Sequence, residues 1–104
     1  MKTIVSNMQS ARTGKAVANQ FIINQTDNDF NCITFQSYDT KIATYDIYNS
    51  ILVVYPEWSF SKTTSKYFFE FLRDLGLDYN TTKFRELEKS GGDHNVNNIQ
   101  IIFN

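Results

Sequence analysis

The sequence predicts an α+β domain: a mainly antiparallel sheet of four to six strands with one long and one short helix packed on it. Three observations carry that reading. The first half holds a succession of β-rich runs broken by turn residues. One stretch, Trp58–Leu75 (WSFSKTTSKYFFEFLRDL), has helical spacing, and a final alternating run, Ile99–Phe103, returns to strand. Strands precede helices instead of alternating with them, which favours a helical layer on an antiparallel sheet.

In order along the chain, Lys2–Ser6 reads as a short edge strand and Asn7–Gly14 (NMQSARTG) as a polar loop. Val17–Gln25 and Phe30–Tyr38 read as a hairpin joined through the self-bonding turn residues Thr26–Asp29 (TDND). In the second of these strands Ile33 and Phe35 share the face better suited to the core, and Cys32, Thr34 and Gln36 share the other. Lys41–Tyr48 is a strand of uncertain register. Ile51–Tyr55 (ILVVY) is apolar on both faces, as a central strand should be, and Pro56 ends it because proline cannot donate to a ladder.

The long helix spans about Thr63–Leu75. Ser61, Thr63, Thr64 and Ser65 supply capping hydroxyls, and Gly76 supplies a left-handed stop. Tyr67, Phe68, Phe71, Leu72 and Leu75 fall on one arc of roughly 140° at about 100° per residue. A shorter helix follows Asn80–Thr82, buries Phe84 and Leu87 and ends at Gly91–Gly92, while Trp58 is a packing anchor at the handover from strand to helix. With 104 residues, 41% hydrophobic and no linker or repeat, residues 1–104 form a single domain with one core.

Composition excludes several function classes. A net charge of −1 gives no global field for nucleic acid or anionic membrane, so any basic footprint is local. No window approaches the ~18 apolar residues of a spanning helix, and Met1–Arg12 has no apolar signal region. One cysteine, Cys32, excludes an intrachain disulfide and fits a reducing cytoplasm. The expected protein is cytoplasmic, with no membrane partner. One Cys and one His, Cys32 and His94, cannot make a zinc site, and no glycine spacing cradles a phosphate. A Cys32–His94 nucleophilic pair needs those residues adjacent, and Asp27, Asp29, Asp39 and Asp46 read as turn chemistry. The expectation is a non-enzyme with no catalytic residue, cofactor or metal.

Two surfaces remain. Lys62, Lys66, Phe69 and Arg73 fall at i, i+4, i+7 and i+11, a basic stripe with an aromatic opposite the core arc. Such a stripe suits a nucleic-acid backbone, and Arg12 and Lys15 join it where the early loop lies close. The competing reading is an ordinary solvated face diluted by Glu70 and Asp74. The second surface is aromatic: Tyr38, Tyr45, Tyr48, Tyr55 and Trp58 cannot all be buried in so small a domain, and Tyr and Trp favour protein contacts; the competing reading, favoured for most of them, is that they cover the sheet ends and the underside of the helix.

Three segments in order, VANQFII (Val17–Ile23), FQSYDTKIA (Phe35–Ala43) and WSFSKTTSKYFFEFL (Trp58–Leu72), resemble a family of small bacteriophage proteins with no assigned activity. The lead-in ARTGKAV and the ending KFRELEKSG fit the same pattern. The matching positions are Asn19, Gln20, Gln36, Ser37, Tyr38, Ser61, Thr63, Thr64, Lys66 and Tyr67, either functional or joining the helix start to the sheet. The resemblance implies a phage accessory protein in the bacterial host cytoplasm and names no chemistry. On these grounds the leading expectation is a non-catalytic protein that binds a host or phage protein, with nucleic-acid binding by the basic helix face as the alternative. A sheet covered on one face only also leaves the other for a homodimer.

Overall fold

A computed structural model describes all residues, Met1–Asn104, as a two-layer α+β molecule of 34 × 34 × 22 Å. Seven strands form one sheet: β1 (Lys2–Gln9), β2 (Ala16–Asp27), β3 (Phe30–Ser37), β4 (Thr40–Asp46), β5 (Ile51–Val54), β6 (His94–Val96) and β7 (Ile99–Phe103). Their order is β1-β2-β3-β4-β5-β7-β6, antiparallel throughout except for the parallel pair β5–β7. Between β5 and β6 come a 3₁₀ turn (Pro56–Ser59) and two helices, α1 (Lys62–Asp74) and α2 (Thr81–Lys89).

The α+β class stands, with β6 taking the sheet one strand beyond the expected range. The polar loop read around His94 is in part this strand, turned back onto β7 by Asn97 and Asn98 at φ 51° and 64°. Both residues lie in the left-handed region that a two-residue primed hairpin turn requires, which asparagine tolerates. The β2–β3 hairpin is also tighter than its composition suggests. Asp27 pairs with Phe30, so only Asn28 and Asp29 form the turn. The first strand runs on to Gln9, and the loop shrinks to Ser10–Lys15, closed by backbone bonds from Ser10 N–H to Lys15 and from Gly14 N–H to Ser10.

Register explains which side chains reach the helices. One row across the sheet runs Ser6, Ile22, Phe35, Ala43, Val54, Phe103, and all of its large members face the helical layer. A bulge opposite Phe35 and Gln36 inserts Ile42, so Ile42 and Ala43 are both buried in succession. The adjacent row, Val5, Ile23, Thr34, Thr44, Val53, Ile102, lies on the opposite face, which no helix covers. Cys32 shares that second face, as expected, yet it is buried by its neighbours in the sheet.

Helix α1 starts where its capping residues dictate. Ser61 Oγ accepts from Thr64 N–H at 3.1 Å. It ends in a Schellman pattern, Leu77 N–H to Leu72 carbonyl and Gly76 N–H to Arg73 carbonyl, with Gly76 at φ 85°. Asn80 caps α2 through its side-chain oxygen and Lys83 N–H, 2.9 Å. Between the layers Phe68, Phe71, Leu72, Phe84 and Trp58 are fully buried, with Phe35 and Phe71 stacked at 5.9 Å.

A candidate anion groove at the helix starts

Trp58 is the hub on which the site is built. Its ring meets Phe68, Phe69 and Phe84 at 5.8, 5.9 and 5.1 Å, and its Nε1–H donates to Glu88 Oε2 at 3.2 Å. These contacts fix α2 beside α1 so that both helix starts open on the same side. The groove between them holds about 600 Å³ and is lined by Lys62, Lys66 and Arg85, with Ser59, Ser61, Ser65 and Thr81 supplying hydroxyls and Phe69 the floor. No carboxylate lines it. Arg85 is held in place with its guanidinium 5.8 Å from the Trp58 ring, and Lys66 Nζ lies 5.2 Å from the Tyr67 ring. The first backbone bonds in each helix run from Ser65 to Ser61 and from Phe84 to Asn80, and the caps take Thr64 N–H and Lys83 N–H, so only the N–H groups of Lys62, Thr63, Thr81 and Thr82 lack an intrahelical partner.

Phe69 corrects the sequence reading: it is 7% exposed and belongs to the core, not to an outer stripe. On the helical wheel it stands about 60° beyond the apolar arc, at the near edge of the stripe. The 3₁₀ turn and α2 wrap that flank and bury it among Trp58, Phe68 and Phe84. The stripe is also divided. Arg73 faces a different hollow of about 420 Å³, shared with Glu70, Asp74 and the Ser10–Ala11 loop. Arg12 and Lys15 sit on that same loop, so they belong to the Arg73 end and do not join Lys62 and Lys66. The carboxylates expected to dilute the field act there, away from the groove.

Two groove residues were not anticipated. Arg85 lies next to the core residue Phe84, and nothing in the spacing of α2 ties it to Lys62. Phe60 did leave a signal. It occupies the position before the cap where an apolar residue normally staples onto the fourth helical residue, but that residue is Ser65. With no partner to staple, Phe60 is 76% exposed.

Seven of the ten positions singled out by the three-segment pattern are linked at the junction of β2, β3 and the start of α1. Gln20 pairs with Ser37 across β2 and β3. Ser37 Oγ is 2.9 Å from Thr64 Oγ1, and Ser61 Oγ–H donates to Thr64 Oγ1 at 3.0 Å. This hydroxyl chain fastens the start of α1 to the sheet. Asn19 and Tyr38 both have positive φ, 64° and 56°, and Tyr38 N–H donates to the Asn19 carbonyl at 2.6 Å. Gln36 Nε2 donates to the Tyr38 carbonyl at 2.9 Å. Thr63 and Lys66 are exposed and Tyr67 half-buried on α1. Gln20 is buried with neither amide atom paired.

Elsewhere the titratable groups do not assemble. Cys32 faces the open side of β3, whereas His94 lies four strands away in the sheet order, against Phe103 on the helical side. The nucleophilic pair does not form. Burial pushes the Cys32 thiol above its usual range, and the Asp46 carboxylate pushes it further. Asp46 itself is held below the ordinary carboxylate range, chiefly by the Asn49 side-chain amide at 2.8 Å and then by Asn49 N–H. Burial alone raises Tyr79. No three His, Cys, Asp or Glu side chains gather as metal ligands, and no helix is long and apolar enough to cross a membrane.

Fold and groove together define a two-layer α+β protein with a groove lined by three cations and no carboxylate at one end of its helical layer. The chain belongs to the family of unknown function DUF8033, whose model matches residues 3–90 and so takes in the groove and the hydroxyl chain. No curated protein and no solved structure matches it.

Proposed function

We propose that the protein acts by binding, without catalysis, and that its ligand is the phosphate backbone of a nucleic acid held in the groove between α1 and α2. The observation that carries this reading is the convergence of Lys62, Lys66 and Arg85 on one concave surface with no carboxylate among its lining residues. In a chain of net charge −1 such a local excess is the footprint a polyanion needs. The sequence alone ranks a protein partner ahead of nucleic acid; the groove reverses that order. The resemblance to small bacteriophage proteins implies a bacterial cytoplasm as the setting. Fluorescence anisotropy with labelled oligonucleotides tests the reading. Binding at low salt that disappears in Lys62→Glu/Lys66→Glu/Arg85→Glu supports it, and absence of binding at low salt refutes it.

A second reading, a protein partner or a second copy of this chain, is favoured by the uncovered sheet face. The row Val5, Ile23, Thr34, Thr44, Val53, Ile102 carries no charge across six strands, and Val5 is 59% exposed at the open β1 edge. Sedimentation velocity discriminates here: a dimer at micromolar concentration that dissociates in Val5→Lys/Val53→Lys supports an interface on this face, and a wild-type monomer refutes the homodimer.

A further inference from the structure

We propose that the pocket next to the groove takes an unpaired nucleobase, so that the nucleic acid bound is single-stranded. This rests on the phosphate reading of the groove. The pocket, of about 260 Å³, shares Phe60 and Ser61 with the groove and is also lined by Tyr38. Phe60 and Tyr38 are 76% and 55% exposed, two large surface rings that both line one cavity. Tyr38 is fixed from both sides of its backbone, by the bond from its N–H to the Asn19 carbonyl and by Gln36 Nε2 on its own carbonyl. An exposed ring on an immobile backbone is a stacking platform, and every base has a face that stacks on one. The floor is Ile42, fully buried and apolar, and Thr64 beside it adds a hydroxyl. Glu57 completes the wall. A carboxylate repels phosphate but accepts a hydrogen bond from an exocyclic amino group such as that of cytosine. Charge therefore divides the two cavities, with phosphates beside Lys62, Lys66 and Arg85 and a base beside Glu57. A base inside a duplex must first be unstacked and unpaired to enter the pocket, a cost that an already single-stranded base does not meet.

The test uses the full chain with fluorescein-labelled dC12 and, as a backbone without bases, inorganic polyphosphate as competitor. Phe60→Ala and Tyr38→Ala remove exposed rings, and circular dichroism confirms that both variants fold. Each is expected to weaken dC12 about 5- to 150-fold, the range for losing one stacked base, while polyphosphate binds as to wild type. The charge-reversed groove variant Lys62→Glu/Lys66→Glu/Arg85→Glu loses both ligands. If the ring variants bind dC12 as wild type does while the groove variant loses it, the base pocket is refuted and the phosphate groove survives. If an annealed dC12·dG12 duplex binds as tightly as dC12, the single-strand assignment is refuted. Wild-type protein that binds neither probe overturns both readings.

Discussion

Phe69 is where sequence spacing and three-dimensional packing disagree most, and replacing it by alanine measures which is right. The ring is 7% exposed and touches three others, Phe68 at 5.4 Å, Trp58 at 5.9 Å and Phe84 at 6.0 Å. Truncating a buried phenylalanine costs about 3–5 kcal/mol, a transfer contribution plus a cavity. In a domain of about 100 residues each kcal/mol moves the midpoint by about 4–8 °C, so Phe69→Ala should melt at least ~12 °C below wild type. Total stability for such a domain is only about 5–15 kcal/mol, so a milder variant is needed alongside. Phe69→Leu keeps apolar volume but loses the two edge-to-face contacts, with Trp58 and Phe84, and the tilted one with Phe68, and should cost about 0.5–1.5 kcal/mol per lost aromatic pair. Urea denaturation followed by Trp58 fluorescence reads both, since that indole sits against the site of change. An exposed stripe residue would give changes within about 0.5 kcal/mol. A Phe69→Ala variant that stable would refute the packing of α2 against α1 and, with it, the floor of the groove.

Other perturbations test separate parts of the structure. Thr64→Val removes the hydroxyl that joins Ser61 to the buried Ser37; leaving Ser37 unpaired should cost about 1–3 kcal/mol in urea denaturation, and a neutral result would mean the chain does not fasten α1. Gly76→Ala places a side chain at φ 85° with open space around it, so the backbone alone should cost about 1–2 kcal/mol by thermal melting. Asp46 has a folded-state pKa below its unfolded value, near the ordinary ~3.9, so its stabilising effect is complete above that value and fades as pH falls through the lower folded value. Asp46→Asn should therefore flatten the acid limb of stability below about pH 4, read by urea midpoints across pH. Cys32, buried with its thiol pKa raised, should react with a disulfide reagent at pH 8 far more slowly in native protein than in urea; equal rates would place it on an accessible surface.

The elements that were legible in the sequence are those whose signals are local. Ser61, Gly76 and Asn80 mark helix ends by their own backbone chemistry, and the spacing from Phe68 to Leu72 needs only the helical period. Phe84 and Ile101 follow the same logic and are fully buried. Strand β6 was missed although Asn97–Asn98 between Val96 and Ile99 is a hairpin signal, because three residues are too short a run to show alternation. The site was half legible. Lys62 and Lys66 share a helix, so their proximity follows from spacing, but Arg85 reaches them only because Trp58 and Phe84 dock the second helix. The same docking buries Phe69, and the turn of the sheet carries Arg12 and Lys15 to the other end of α1. No pattern along one element encodes how two elements meet.

The most direct test of the phosphate groove is the salt dependence of single-strand binding. For dC12, the logarithm of the association constant should fall linearly with the logarithm of salt, with slope about −0.7 per cation–phosphate contact. With Lys62, Lys66 and Arg85 in the groove, the wild-type slope should be about −2, and reversal of all three charges should abolish binding at low salt. A slope near zero, or a charge-reversed protein that binds as tightly as wild type, would contradict the assignment and leave the open sheet face as the working surface.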